Sequence, residues 1–111
     1  MCAYSVSPRR PVLPALILSL WVTAAEKGDA ARGKQVFKRC AVCHGDSGEG
    51  NERIAKAFGV AMKPFSSKEV QALDDANLKK GILEGKGKMR PVSLSDQEAA
   101  DVIAFLRTLK K

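Results

Sequence analysis

Two cysteines and one histidine are the residues of this chain whose types and spacing could do chemistry. They lie in the segment Cys40-Ala41-Val42-Cys43-His44. The spacing C-x-x-C-H is typical of c-type haem attachment, because each thiol can add to one vinyl group of a single haem. The imidazole that follows then lies under the iron as an axial ligand. The segment therefore predicts one covalent haem, held by Cys40 and Cys43 and ligated by His44.

The other histidines and cysteines of the chain limit the alternatives. His44 is the only His among the 111 residues, and the third cysteine, Cys2, lies in a segment that we expect to be removed. A zinc site would need a further ligand and a structural spacing that is absent. A dithiol–disulfide redox site normally stands in a thioredoxin-like βαβ context, which the pattern does not show. The remaining alternative is a helix end with two buried cysteines and a surface histidine.

The first 25 residues have the order of an export signal. The pair Arg9-Arg10 precedes an apolar run over residues 12–22, and the segment ends in the small residues Thr23-Ala24-Ala25. This is the arrangement of a secretory signal peptide, and its apolar run is shorter than the roughly 20 residues of a stable membrane span. We expect residues 1–25 to be removed and residues 26–111 to form one domain in the periplasm. A signal that is not cleaved would tether the protein to the membrane instead.

Charge and composition narrow the function classes of the mature chain. The formal net charge of +7 falls to +5 once the two arginines leave with the signal. There is no basic helix with interleaved aromatic residues, so nucleic-acid binding is not expected. Four phenylalanines are the aromatic residues that remain, which is a thin core for about 86 residues. A covalent haem would supply much of the missing core.

Periodicity and capping residues predict an all-α domain around these chemical groups. We expect helices over about residues 29–43, 52–58, 74–84 and 95–109, with a capping box at Ser66 opening a further turn or short helix. Asp29 and Ser95 are the predicted N-caps of the first and last helices. Glycine-rich loops follow His44 and precede the last helix. The first helix therefore ends at the haem motif.

These residues resemble the small class I cytochromes c of bacteria over roughly residues 26–111. The likeness rests on Gly33-x-x-x-Phe37-x-x-Cys40-x-x-Cys43-His44-Gly45 and on Val102-Ile103-Ala104-Phe105-Leu106. The resemblance implies a class I cytochrome c fold, with four to five helices around one covalently attached haem c. It also implies that Gly33 and Phe37 of the first helix pack against Phe105 of the last.

The resemblance further implies a methionine as the second axial ligand. Met89 lies in a Gly/Lys-rich loop 45 residues after His44, similar to the family's methionine loop, although Arg90 here separates Met89 from Pro91. Met62 is the less favoured alternative, since it follows His44 by only 18 residues and a lone methionine often fills a gap in a core. In some members a proline after the motif provides the carbonyl that accepts the imidazole N–H. No proline lies between His44 and Pro64, so the acceptor is not identified.

A His44/Met89 pair would leave no open iron position and would suit electron transfer better than catalysis. We therefore expect a monomeric periplasmic one-electron carrier that is not an enzyme. Acidic redox proteins are the expected partners, and the cations that could dock them are Lys86, Lys88, Arg90 and Lys63. One alternative is a haem c subunit of a larger oxidoreductase complex. Another, should Met89 not ligate the iron, is a ligand-binding or peroxidatic haem protein.

Overall fold

A computed structural model describes residues 27–111, so the predicted signal at residues 1–25 lies outside the described residues. The described chain forms five α-helices: α1 Ala30–His44, α2 Glu52–Phe58, α3 Lys68–Gln71, α4 Asp75–Glu84 and α5 Asp96–Thr108. Within residues 27–111 there is no strand, only an isolated bridge between Lys86 and Met89. The prediction of an all-α fold with four to five helices is confirmed. None of these helices has the length and apolar character needed to cross a bilayer.

The helices begin at side chains that can accept a hydrogen bond from the first turn. The Asp29 side chain accepts from the backbone N–H of Arg32 at the start of α1. At the start of α5, the Ser95 hydroxyl accepts from the N–H of Glu98, whose carboxylate accepts from the N–H of Ser95. This reciprocal pair satisfies two donors that would otherwise lack partners. Both predicted N-caps are confirmed.

The third helix begins one residue later than predicted. Ser67, not Ser66, is its N-cap, and the Ser67 hydroxyl accepts from the N–H of Val70. The backbone N–H of Ser67 donates to the carbonyl of Pro64 at 3.0 Å. This turn leaves Ser67 in the extended conformation that an N-cap requires. The predicted capping box between Ser66 and Glu69 is therefore wrong, and the valine at position 70 cannot complete one with Ser67.

The first and last helices cross so closely that their contact requires glycine. A Cβ at Gly33 would lie 1.9 Å from the Asp101 carbonyl oxygen, and one at Gly28 would lie 1.9 Å from that of Ala100. Beside this contact the rings of Phe37 and Phe105 pack with centroids 5.1 Å apart. The expected packing of Gly33 and Phe37 against Phe105 is confirmed. This crossing is the centre of the core and fixes the direction of α1 toward His44.

A buried carboxylate joins the start of α1 to α5. Asp101 is only 3% exposed, and its Oδ1 accepts from the Asp29 backbone N–H and from Gln97 Nε2, each at 2.8 Å. The Arg32 Nε lies 3.2 Å from Asp101 Oδ2. The Asp29 N–H lowers the pKa of Asp101 most, with further lowering from Gln97 and Arg32 against the opposing effect of burial. The ionised carboxylate is thus the stable form in the folded protein.

Two polar side chains fasten the segment before α4 to α5. Gln71 Nε2 donates to the carbonyls of Phe65 at 2.7 Å and Leu106 at 2.9 Å. Arg107 donates to the carbonyl of Leu73 at 2.6 Å and to Asp75 Oδ1 at 2.8 Å. These bonds connect groups that are 6 to 35 residues apart in the sequence and join the segment to α5. Their consequence for the site is that Phe65 is held at a fixed position beside the core.

Candidate functional site

The two thiols and the imidazole lie on the last turn of α1, as their spacing predicts. Cys40 is half-buried and packs against the core, Cys43 is exposed, and both are free thiols. Residues three apart on a helix lie on adjacent parts of its surface. Cys40, Cys43 and His44 therefore border one end of the α1–α5 core and remain accessible from outside.

The chain reverses directly after His44 through a compact loop. Gly45 has φ of +82°, and its N–H donates to the Ala41 carbonyl at 2.8 Å, which ends α1. The Gly50 N–H then donates to the His44 carbonyl at 2.7 Å. The positive φ of Gly45 favours glycine, since other side chains adopt it at a steric cost. The loop therefore fixes the backbone of His44 from both sides.

The ring of Phe65 holds the imidazole from one side. Its centroid is 4.7 Å from that of His44, and the two planes are inclined by 40°. The same phenylalanine packs edge-on against Phe37 at 6.0 Å, and its backbone N–H donates to the Gly48 carbonyl at 2.9 Å. A Cβ at Gly48 would lie 2.6 Å from the Phe65 ring. Phe65 thus links the imidazole to the aromatic core.

Burial shifts the protonation of the site toward its neutral forms. It lowers the pKa of His44, so the imidazole that can ligate a metal is favoured over imidazolium. Burial also raises the pKa of the Cys40 thiol, partly opposed by the charge of Arg39, with a further rise from Cys43. Both shifts follow from the cost of placing a charge in a poorly solvated position.

The arrangement fits a covalent haem better than a chelated metal ion. His44 Nδ1 is buried without a hydrogen-bond partner among the described residues, which leaves Nε2 as the nitrogen for a ligand bond. In residues 27–111 no three His, Cys, Asp or Glu side chains converge as ligands for an ion. Two free thiols beside one oriented imidazole could instead hold a haem by two thioether bonds and supply one ligand to its iron.

Met89 ends a tight turn between α4 and α5. Residues 85–91 form what we call the Met89 loop, in which Lys86 and Met89 exchange two backbone hydrogen bonds of 3.2 and 2.9 Å. Gly87 has φ of +59°, whereas Lys88 does not have positive φ, which is the pattern of a type II′ turn. Met89 itself is half-buried. The glycines thus shape a turn that presents one methionine.

Met62 lies in a different environment. It borders an open cleft of about 680 Å³, which is lined by residues 49–52, 55–56 and 59–62 and by neither cysteine nor Met89. A Cβ at Gly50 would lie 3.4 to 3.8 Å from the Met62 carbonyl oxygen, Cβ and Cγ. Met62 therefore packs against the loop that follows His44. Met62 thus lies at the wall of a cleft and outside the hydrophobic core cluster.

The four predicted docking cations are all exposed. Lys86, Lys88 and Arg90 lie together in the Met89 loop, and Lys63 lies on the segment between α2 and α3. Lys88 differs from its neighbours in the loop, because its Nζ donates to the Phe58 carbonyl at 2.6 Å. The sequence pattern does not predict this hydrogen bond.

The structure adds residues to the site region that sequence reasoning does not identify. The sequence marks Phe65 only as an aromatic residue, and it does not single out Asp101, Gln71 or Arg107. Asp101 is an acidic residue on the otherwise apolar face of the last helix, and that contrast is a signal that could have found it. No local signal marks Gln71 or Arg107, since their partners are 35 and 34 residues away along the chain.

Comparison with known proteins gives consistent results. The family model for cytochrome c matches residues 30–110. A cytochrome c2 of Rhodospirillum rubrum is 31% identical over 115 residues, covering 78% of this chain and 85% of that protein. A second cytochrome c2 sequence from Rhodospirillum rubrum is 31% identical over 112 residues, covering 76% of this chain and 100% of that protein. The solved KustC0563 c-type cytochrome superposes with a TM-score of 0.61 at 26% identity, covering 71% of this chain and 98% of that one.

Proposed function

This chain belongs to the cytochrome c family, and on that premise we propose that it is an exported one-electron carrier with His44 and Met89 as axial ligands. The family carries covalently bound haem c with iron, and the cytochrome c2 homologues indicate electron transfer. Bound haem c supplies one-electron exchange between ferric and ferrous iron. The protein is then a carrier and not an enzyme. The order of residues 1–25, which is that of a signal peptide, supports export to the periplasm.

The observation that carries the proposal is the arrangement at the end of α1. Cys40 and Cys43 are free and lie next to the one imidazole of the chain. The contact with Phe65 orients the ring, and the burial of Nδ1 leaves Nε2 as its available nitrogen. Cys40 and Cys43 would form the thioether bonds and His44 the first axial bond. The lowered pKa of His44 keeps its lone pair available near neutral pH.

Met89 is the second axial ligand in this proposal. Its turn is held by paired backbone hydrogen bonds, and it lies on the loop that resembles the methionine loop of the family. Met62 lies near Gly50 at the wall of a cleft that neither cysteine lines, which supports Met89 over Met62. With haem bound, His44 and Met89 would both hold the iron, and such a pair would raise the reduction potential and leave no position for O₂ or peroxide.

Exposed cations around the Met89 loop would guide an acidic redox partner. Lys86, Lys88 and Arg90 are exposed within seven residues of chain, and Lys63 is exposed on another segment. The attraction of such cations to an acidic surface raises the association rate and weakens with added salt. Electron transfer to an acidic partner should therefore slow as ionic strength rises.

Two measurements on the exported protein test the proposal. Its mass should equal that of the processed chain plus one haem, and a mass that instead shows a disulfide between Cys40 and Cys43 would refute attachment. The oxidised protein should show a thioether-to-iron absorption band near the red end of the spectrum. A high-spin spectrum with ready CO binding would favour the ligand-binding alternative.

A matched pair of variants assigns the second ligand. Met89→Leu should abolish the red band and lower the reduction potential, whereas Met62→Leu should keep both close to their wild-type values. The reverse result would make Met62 the ligand. Isolation of the protein in a stable complex, instead of alone, would favour the subunit alternative.

A further inference from the structure

The Met89 loop has a hydrogen bond to a distant part of the chain. The Lys88 Nζ donates to the Phe58 carbonyl at 2.6 Å across 30 residues of sequence. We propose that Lys88 is a positioning residue, which holds the Met89 loop closed through this bond so that the Met89 sulfur stays on the iron. The inference rests on the proposed ligation by Met89. It assigns Lys88 a role that its neighbouring cations do not share.

The carbonyl that accepts from Lys88 lies at the C-terminal end of α2, where a positive charge is favoured. Phe58 is the last residue of α2, which ends at Gly59 in the left-handed conformation with φ of +63°. The last carbonyls of a helix have no intrahelical donor and carry the negative end of the helix dipole. A lysine ammonium can satisfy such a carbonyl. The Lys88–Phe58 bond therefore joins a charge to a group that needs a donor.

The position of Lys88 makes the restraint act directly on Met89. Lys88 is the second central residue of the turn whose ends are Lys86 and Met89. After the methionine, the Val92 N–H donates to the Ile82 carbonyl at 2.9 Å. Hydrogen bonds thus hold the chain on both sides of Met89: Lys88 before it is bonded to the end of α2, and Val92 after it is bonded to α4. Loss of the first would leave the turn attached on one side only.

Lys86 provides an internal control. It carries the same charge, is exposed in the same turn, and its ammonium makes no hydrogen bond or ion pair within residues 27–111. A substitution at Lys86 therefore removes the same charge from the same turn as one at Lys88 does. The two substitutions differ in whether they break the bond to Phe58.

The expected effect follows from the coupling between loop opening and ligand exchange. An external ligand such as imidazole can bind only when the Met89 sulfur leaves, so its apparent affinity rises with the open fraction. A hydrogen bond of ordinary strength would change that fraction by about two- to tenfold. Exchange of the Met89 amide with solvent should accelerate by a similar factor, because the same opening exposes it.

The experiment is an imidazole titration of oxidised, haem-containing protein, followed by loss of the red band, for wild type, Lys88→Gln, Lys86→Gln and Lys88→Arg. Lys88→Gln should bind imidazole about two- to tenfold more tightly than wild type, and Lys86→Gln should remain within about twofold of wild type. Lys88→Arg can still donate to the Phe58 carbonyl, so its imidazole affinity should stay close to the wild-type value. Of the three variants, only Lys88→Gln should show faster hydrogen exchange at the Met89 amide than wild type.

Equal imidazole affinities and equal amide exchange for Lys88→Gln and Lys86→Gln would overturn the role of Lys88. Failure of the proposed function has a different signature, since the wild-type protein would then lack the red band. Amide exchange would still decide in that case whether Lys88 restrains the turn.

Discussion

The α1–α5 crossing and the Met89 loop hold their chemical groups in different ways. At the crossing, Gly33 lies against the Asp101 backbone, and Phe37 is 2% exposed beside Phe105. The Met89 loop has a half-buried methionine among exposed cations, and its shape depends on a glycine turn and two connections. The crossing is held by packing, whereas the loop is held by backbone conformation and single hydrogen bonds.

This difference assigns different tasks to the two regions. Packed cores resist small displacements, because their side chains interdigitate at high density. Regions with few buried apolar contacts open locally at lower free energy than the whole protein. The His44 side of the proposed iron site should therefore remain fixed until global unfolding, while the Met89 side should open on its own. Substitutions at the crossing should lower global stability, and substitutions in the loop should change access to the iron.

The largest effect is expected from filling the helix contact. Gly33→Ala places a methyl group 1.9 Å from a backbone oxygen, so α1 and α5 must separate, and we expect a loss of about 3 kcal/mol in unfolding free energy. Denaturant unfolding of the haem-containing protein measures this loss. Imidazole binding should change little as long as the variant is folded. A variant as stable as wild type would mean that the crossing is not tight.

Gly81→Ala is the control for that substitution. Gly81 lies inside α4 and does not have positive φ, and a methyl group at this position would meet no atom within 4 Å beyond the backbone of its own helix. Alanine should therefore stabilise the helix by about 0.5 to 1 kcal/mol. If Gly33→Ala lowers the free energy of unfolding and Gly81→Ala raises it, the contact between α1 and α5, and not helix propensity, decides the result at Gly33.

An intermediate effect is expected at the buried carboxylate of the crossing. Asp101→Asn weakens the hydrogen bonds to Asp29 and Gln97 and removes the ion pair with Arg32, at a cost of about 2 kcal/mol at neutral pH. Denaturant unfolding measures the loss. Asp46→Asn, at an exposed position, should stay within about 0.5 kcal/mol of wild type.

The contribution of Asp101 to the free energy of unfolding should depend on pH in acidic solution. The pKa of Asp101 is lowered in the folded state, chiefly by the Asp29 N–H, so its contribution is complete above the ordinary aspartate value of about 4. The contribution is lost as pH falls from there through the folded-state pKa. The stability difference between wild type and Asp101→Asn should narrow below about pH 4. A constant difference would contradict the role of the ionised form.

The smallest effect is expected in the Met89 loop, where it should be local. Gly87→Ala puts a side chain at φ of +59°, with no atom within 4 Å to clash, so it introduces backbone strain of about 1 kcal/mol. Imidazole should then bind about fivefold more tightly, and His44 should stay ligated. No change in imidazole affinity would indicate that the loop does not control access to the iron.

The sequence by itself determined the features that depend on neighbouring residues. The C-x-x-C-H segment, the helix periodicities and the caps at Asp29 and Ser95 are local patterns, and they predicted the family, the cofactor and four of the five helices closely. Gly33, Phe37 and Phe105 were assigned to one contact through resemblance to the family, and the structure confirms that contact. The third helix was misplaced by one residue, because the capping-box pattern favours Ser66 whereas the turn from Pro64 places Ser67 at the N-cap.

Only the tertiary structure decided which distant groups meet. The Asp101 carboxylate finds the Asp29 N–H 72 residues away, and the Lys88 ammonium finds the Phe58 carbonyl 30 residues away. The Phe65 ring rests on His44 because Gln71 and Arg107 hold its segment against α5. No periodicity or cap encodes such pairs, since each depends on how the helices and loops are placed in space. The sequence thus specified the groups that bind the cofactor, and the fold determined how firmly each is held.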